Sequence, residues 1–130
     1  MANKTIEQTV QLPASPEAVY NALMDSKQHS EFTRAAANID NKVDGEFNVW
    51  DGYATGKNVE LEPGKKIVQI WHASDWPNGV DSRLTIELTP KGEGTELSLH
   101  QSGVPAEYVN DVAQGWHDYY WDPLREYLAK

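Results

Sequence analysis

Apolar and polar residues alternate near the start of the chain, over residues 5–12. Ile6, Val10 and Leu12 fall on one side of this segment, and polar residues fill the positions between them. A period of two residues is typical of a strand with one buried face. The pattern therefore predicts a first strand, which ends at Pro13.

The next segment carries the signals of a helix start. Ser15 is a good N-cap residue, and Pro16 follows at the first helical position. A narrow apolar stripe then runs along the predicted helix, formed by Val19, Ala22 and Leu23. A second short helix is predicted over residues 26–33, with Phe32 as its apolar anchor.

Residues 38–101 combine short alternating runs with turn-forming pairs. The pairs are Asp44-Gly45, Asp51-Gly52 and Pro63-Gly64. Glycine accepts a positive φ angle, so such pairs between alternating runs favour hairpins. Consecutive hairpins predict an antiparallel sheet.

After residue 107 the apolar period changes to 3.6 residues and continues to the C-terminus. One stripe contains Val109, Val112, Ala113, Trp116, Tyr119, Tyr120, Leu124 and Tyr127. Charged residues occupy the opposite side. The pattern predicts an amphipathic helix of about twenty residues, roughly 30 Å long, whose aromatic face packs on the sheet.

Pro123 interrupts this helical pattern. It lacks a backbone donor and collides with the carbonyl of Tyr119, so we expect a kink or a restart near Asp122, with Asp122 capping the new turn. Trp121 falls on the shoulder of the predicted helix. Two interpretations remain open for Trp121: packing against a short N-terminal helix, or an exposed contact with a partner.

The order of elements predicts an α+β fold. A curved antiparallel sheet of about six to seven strands wraps a long C-terminal helix, and two short helices follow the first strand. We find no linker or internal repeat, so we expect a single domain over residues 1–130. Such a fold leaves a concave space between sheet and helix, where ligands commonly bind.

The alternation of side chains along the strands and the apolar stripe of the helix predict which residues line this space. They are Phe47, Val49, Trp71, Leu84, Ile86, Trp116, Tyr119 and Tyr120. The alternative is that these large rings fill the space, which would favour a protein-interaction role. Trp76 lies in the polar loop SDWPNG, where it either folds back over the core or caps the cavity mouth as a contact residue.

Composition excludes several classes of function. The formal net charge is −9, and nucleic acids and anionic membranes both select basic surfaces, so we expect neither as a partner. The chain has no cysteine, which removes disulfides, thiolate chemistry and cysteine zinc sites. With no apolar run of signal-peptide or transmembrane length, the expected location is the cytoplasm.

Catalytic and metal-binding motifs are weak. The four histidines, His29, His72, His100 and His117, show no metal-ligand spacing, so we expect no metal. The segment DNKVDG places Lys42 where a calcium loop needs an oxygen ligand. No G-x-S-x-G motif is present. We therefore expect no cofactor and no enzymatic activity, although a carboxylate or histidine in an open cavity would change that interpretation.

Five segments together resemble a known family. They are ASPEAVYNAL, WDGYATGKNVELEPGKKIVQIW, DWPNGVDSRLTIEL, GTELSLHQSGVP and QGWHDYYWDPLREYL. In this order and spacing they resemble the C-terminal domain of the activator of heat-shock protein 90 ATPase family. That resemblance implies the START-like, helix-grip fold. It also implies two functions, because relatives include co-chaperones of Hsp90 and proteins that hold hydrophobic small molecules.

The sequence thus leads to one prediction of function and one alternative. The prediction is a non-enzymatic binding protein that holds a small, largely apolar ligand between sheet and C-terminal helix. The alternative is an interaction module for an Hsp90-type chaperone, which would use Trp76, Trp121 and the acidic surface.

Overall fold

The structure is a computed structural model that describes residues 3–77 and 79–129. Seven strands and four α-helices make up the described part, in an α+β arrangement. Their bounds are β1 Asn3–Leu12, α1 Pro16–Met24, α2 Ser26–Thr33, β2 Asn38–Ile39, β3 Glu46–Val49, β4 Ala54–Glu62, β5 Lys66–Ala73, β6 Ser82–Lys91, β7 Gly94–Pro105, α3 Val109–Gly115 and α4 Asp122–Leu128. A 3₁₀ turn, Ala106–Tyr108, precedes α3, and a π-helical segment, Trp116–Trp121, joins α3 to α4.

The seven strands form one antiparallel sheet in the order β1-β7-β6-β5-β4-β3-β2. Strands β2 to β7 follow one another as hairpins, whereas β1 lies beside the last strand, with Leu12 opposite Thr95. The predicted helix-grip fold, with its six to seven strands and two short helices after the first strand, is confirmed.

The two short helices begin as the sequence predicts. The Ser15 hydroxyl accepts a hydrogen bond from the backbone N–H of Ala18, and Pro16 occupies the first turn. The Asp25 carboxylate caps α2 by accepting from the backbone N–H of Gln28. These caps satisfy donors that have no partner within a helix, so they fix where each helix starts. The anchor Phe32 is buried.

The turn between β3 and β4 is unusually tight. Trp50, Asp51 and Gly52 all adopt positive φ angles, of 54°, 54° and 92°. A tryptophan in this region is uncommon, because its Cβ meets the neighbouring backbone. The predicted hairpin at Asp51-Gly52 is present, and its backbone directs the Trp50 ring toward the C-terminal helix, 5.2 Å from the ring of Tyr119.

The predicted restart of the C-terminal helix occurs at Asp122, but its cause is more than a proline kink. In the preceding π-helical segment, the backbone N–H of Asp122 donates to the carbonyl of His117, five residues earlier. Each hydrogen bond of this kind closes over one residue more than in an α-helix. The prediction that Asp122 caps α4 is wrong, because Asp122 itself is helical and its carboxylate instead lies 3.2 Å from Arg125.

This extra residue changes which side chains face the sheet. Trp116, Tyr120 and Leu124 are buried, as the uniform period of 3.6 predicted. Tyr119 is 57% exposed, so the prediction that it faces the interior is wrong. Trp121 is 0% exposed, which rules out the exposed-contact interpretation; it packs on Trp116 and hydrogen-bonds to Gln8 of β1, where the sequence predicted packing against a short N-terminal helix.

Candidate functional site

The interior between sheet and C-terminal helix is nearly full. Seven of the eight predicted lining residues meet there: Phe47, Val49, Trp71, Leu84, Ile86, Trp116 and Tyr120. Each is at most 7% exposed, and the space left between them is about 30 Å³. That volume holds about one water molecule. The large rings therefore fill the concavity, which is the alternative that the sequence left open.

Buried hydrogen bonds fix one of the central rings in this interior. The Trp116 indole N–H donates to Gln101 Oε1 over 2.9 Å. The amide of Gln101 donates to the Ser82 hydroxyl, and that hydroxyl donates to the carbonyl of Trp71, each over 2.9 Å. Because a buried donor that loses its partner costs free energy, this series of bonds sets the orientation of Trp116 in addition to packing.

His29 is a buried titratable group in the same interior. Its two ring nitrogens lie 3.0 Å from the Leu23 carbonyl and 3.0 Å from the Tyr120 hydroxyl. Burial lowers the pKa of His29, and the Leu23 carbonyl opposes part of that shift. Burial also raises the pKa of the Tyr120 hydroxyl, and the nearby indole N–H of Trp50 offsets part of that rise. Both groups are therefore neutral at pH 7.

An open cleft lies at the mouth of this filled interior. It measures about 390 Å³ and is bounded by the β3–β4 turn, β5 and the C-terminal helix. Six aromatic residues line it, namely Trp50, Tyr53, Trp71, Trp116, Tyr119 and Tyr120. Asp111, Val112 and Gly115 complete the wall. We call this feature the aromatic cleft. Its volume and apolar wall are typical of small-molecule sites.

The electrostatic field at the aromatic cleft is negative. The pKa of Tyr53 is raised to about 12, first by burial and then by the charges of Asp75 and Asp111. Asp111 itself lines the cleft. Among the described residues that form the wall, none is a lysine or an arginine. The chemistry that suits this cleft is therefore apolar, aromatic and attractive to positive charge.

The structure removes both candidate partner-contact residues, Trp76 and Trp121, from the surface and places Tyr119 outside the interior. Trp76 is 4% exposed and packs 5.4 Å from the Trp71 ring, so it folds back over the core and is not a surface contact. Trp121 stacks on Trp116 at 5.4 Å, and its indole N–H donates to Gln8 Oε1. Tyr119 does not reach the interior but forms part of the cleft wall.

Sequence reasoning missed Trp50, Tyr53, Asp111 and Gly115 as cleft residues. The segment from Trp50 to Tyr53 was interpreted only as a turn, since its Asp-Gly pair is a hairpin signal. Gly115 did carry a signal that could have been used. A glycine inside an α-helix costs about 0.5–1 kcal/mol relative to alanine, so its presence indicates a need for space.

The remaining depressions are less suited to a ligand. One of about 840 Å³ lies along β3, β4 and β5, but it is wide open and lined largely by polar residues. Within residues 3–77 and 79–129, no three His, Asp or Glu side chains are grouped as metal ligands would be. None of the helices in the described part has the length and apolar character needed to cross a membrane.

Comparisons with known proteins agree with the resemblance. The family model described as activator of Hsp90 ATPase homolog 1-like protein matches residues 13–129. The human activator of 90 kDa heat shock protein ATPase homolog 1 is 31% identical over 112 residues, which cover 86% of this chain and 33% of the human protein. A homologue of the same activator from Dictyostelium discoideum is 30% identical over 114 residues, covering 87% and 30%.

The chain thus spans about a third of the length of these curated relatives. A solved structure matches over nearly its full length. The crystal structure of an HSP90 activator from Plasmodium falciparum superimposes with a TM-score of 0.89 and 27% identity, covering 96% of both chains.

Proposed function

Because this chain belongs to the family of activator of Hsp90 ATPase homolog 1-like proteins, we propose that it binds an Hsp90-type chaperone and changes the rate of its ATPase. The observation that carries this proposal is the filled interior. A concavity reduced to about 30 Å³ leaves the surface, and not the cavity, as the place for recognition. The names of the relatives supply the class of partner. The encounter would take place in the cytoplasm, as the sequence predicted.

An acidic stripe on the C-terminal helix is our candidate for the contact. Asp118, Asp122 and Glu126 are exposed and all border one open depression next to α2, so they share one side of the helix. Arg125 is paired with Asp122 and neutralises part of the stripe. The chain as a whole carries a net charge of −9, so this surface would attract a basic patch on the chaperone and accelerate association. The buried Trp76 and Trp121 have no part in this contact.

The test is the ATPase rate of the Hsp90-type chaperone from the organism that encodes this chain, measured with increasing amounts of the purified protein. We expect a saturable change in rate that weakens as ionic strength rises, because screening reduces attraction between exposed charges. An unchanged rate, together with no complex in sedimentation at high protein concentration, would reject the proposal.

A matched pair of variants locates the contact. Asp118→Asn, Asp122→Asn and Glu126→Gln together remove three charges from the acidic stripe. Glu62→Gln, Glu87→Gln and Glu93→Gln remove the same number from exposed sites on the sheet strands and the β6–β7 turn. We expect only the first variant to weaken the chaperone response. Equal weakening by both would assign the effect to net charge and reject the stripe as the contact.

The aromatic cleft supports a second candidate function, the binding of a small and largely apolar ligand. The specific observation is its open volume of about 390 Å³ between the β3–β4 turn and the C-terminal helix. This moves the predicted ligand from the closed interior to the mouth. Native and denaturing mass spectra of the purified protein test it. We expect an extra mass that is lost on denaturation, and identical masses with no binding of added apolar probes would count against it.

We propose both candidates as binding functions, and the absence of catalysis stays a prediction from the sequence. His29 is a buried titratable side chain in the interior, and both of its ring nitrogens are already engaged, by Leu23 and Tyr120. An imidazole held in this way has no free nitrogen for proton transfer to a substrate. This supports a structural role for His29.

A further inference from the structure

Six aromatic rings follow one another around the aromatic cleft. The series runs Tyr119, Trp50, Tyr120, Trp116, Trp71 and Tyr53. Successive ring centroids are 5.2, 6.4, 4.7, 5.9 and 6.3 Å apart. The two end members are also the most exposed, Tyr119 at 57% and Tyr53 at 39%. The rings thus form a continuous series along the cleft wall, and the tyrosine at each end is exposed to solvent.

The charges at this opening have one sign. Asp111 lines the cleft, and Asp75 is close enough to act on the Tyr53 hydroxyl. Among the described residues of the wall there is no positive side chain to pair with Asp111. A neutral apolar ligand would gain no electrostatic attraction from this negative field, and an anionic ligand would be repelled by it.

The wall is nevertheless poor in hydrogen-bond acceptors. A primary ammonium group carries three N–H donors, and burying it needs acceptors for all three. A quaternary ammonium group has no N–H and is attracted by the faces of aromatic rings as well as by carboxylates. Because the cleft offers aromatic rings and a carboxylate but few hydrogen-bond acceptors, we propose that it binds an organic quaternary ammonium ion with an apolar body. This inference rests on the second candidate function and gives its ligand a chemical class.

Gly115 keeps the cleft open. It is helical, with φ −60° and ψ −35°, so no backbone strain requires a glycine there. A Cβ added at this position would meet only the Tyr119 ring, at 3.6 Å and beyond. Because Gly115 lies in the wall, a long side chain at this position would occupy the cleft itself. The variant Gly115→Leu is therefore a way to block the site without touching the filled interior.

The experiment is a titration followed by two-dimensional ¹⁵N NMR, in which the five tryptophan indoles report on the site. The probes are choline and its neutral carbon analogue 3,3-dimethyl-1-butanol. They have nearly the same shape and differ in charge. We expect choline to shift the indole resonances of Trp50, Trp71 and Trp116, with a Kd about ten-fold lower than that of the alcohol.

Variants separate local charge from overall charge. Asp111→Asn should weaken choline binding and leave the alcohol unaffected. Glu87→Gln removes one charge from an exposed position of β6, between the buried Ile86 and Leu88, and should change neither. Gly115→Leu should abolish the shifts with both probes. Equal effects of Asp111→Asn and Glu87→Gln on choline would overturn the assignment to this cleft.

The outcomes also separate this inference from the function on which it rests. Equal affinity for choline and the alcohol would overturn the ammonium inference but leave apolar ligand binding standing. No shift with either probe, combined with unchanged native masses, would reject both. Comparing choline with a peptide that carries trimethyllysine identifies the source of the quaternary ammonium group. Tighter binding of the peptide assigns it to a partner protein, and tighter binding of choline assigns it to a free metabolite; either supports the ammonium chemistry.

Discussion

The hydroxyl of Tyr120 donates to Nε2 of His29 in the closed interior, with 3.0 Å between oxygen and nitrogen and the two rings at 79°. The direction follows from the other side of the imidazole. Nδ1 lies 3.0 Å from the Leu23 carbonyl, which can only accept, so Nδ1 carries the hydrogen of the neutral ring. This pair joins α2 to the C-terminal helix without any charge.

Removing the hydroxyl from this pair should destabilise the protein. Tyr120→Phe leaves Nε2 of His29 without its donor in a buried site, at a cost of about 1–2 kcal/mol in the free energy of unfolding. Urea denaturation measures this. The matched control is Tyr127→Phe, whose hydroxyl donates to the exposed carboxylate of Glu31, and its cost should stay within about 0.5 kcal/mol. Equal costs would show that the buried bond contributes no more to stability than the exposed one.

The same histidine makes stability depend on pH. The ordinary pKa of histidine is 6.5, and burial lowers it in the folded state. Between the two values the unfolded chain binds more protons than the folded one, so stability rises with pH. The contribution is therefore complete above pH 6.5, falls as the pH decreases below 6.5, and stops falling below the lowered folded-state pKa.

Two measurements check this sign. Unfolding curves of the wild type should lose more stability between pH 7 and pH 5 than those of His29→Gln, which cannot titrate at this position. The imidazole resonances of His29 in the folded protein should titrate with a midpoint below pH 6.5. A His29 midpoint at or above pH 6.5 would contradict burial as the dominant influence on its pKa, whether or not the variant folds.

The π-helical segment predicts opposite consequences for two neighbouring aromatic residues. Trp121→Ala should cost about 3–5 kcal/mol, because it empties a fully buried site and removes a donor from Gln8. Tyr119→Ala should cost less than about 1 kcal/mol, since its ring is 57% exposed. An uninterrupted α-helix would reverse the order. Chemical denaturation of the two variants therefore tests the local geometry directly.

Gly115 should accept alanine with a gain in stability. The substitution Gly115→Ala reduces the entropy of the unfolded chain and adds a good helix former, which is worth about 0.5–1 kcal/mol. The new Cβ has only an ordinary contact with Tyr119. Thermal unfolding measures the gain. Gly56→Ala is the contrasting control, because a Cβ there would overlap the carbonyl oxygen of Ile70 on the adjacent strand, and we expect it to destabilise the protein.

Much of the fold could be predicted from short-range patterns. The cap at Ser15 and the proline at Pro16 placed the start of α1 correctly, because both act on the backbone within one turn. Strand parity placed Phe47, Val49 and Trp71 on the concave face, since side chains alternate whatever the strand pairs with. The resemblance to the activator family was also carried by sequence alone.

The candidate site could be predicted only in part. The interior residues were identified, but Tyr119 was placed inside and Trp121 was left undecided between packing and an exposed contact, because a uniform period of 3.6 cannot register a π-helical turn. Trp50 was not assigned to any site, since a turn signal gives the position of a bend and not the direction in which its side chain leaves.

The sequence by itself determined the order of the elements, the burial of their apolar faces and the acidic character of the surface. These depend on residues close together in the chain or on composition. Only the tertiary structure decided that the interior is full and that the open space lies at its mouth. The free volume is the volume enclosed by the curved sheet and the helix, minus the summed volume of the rings that pack inside it. That difference is set by contacts between residues as far apart as Trp50 and Tyr119, and no local pattern contains it.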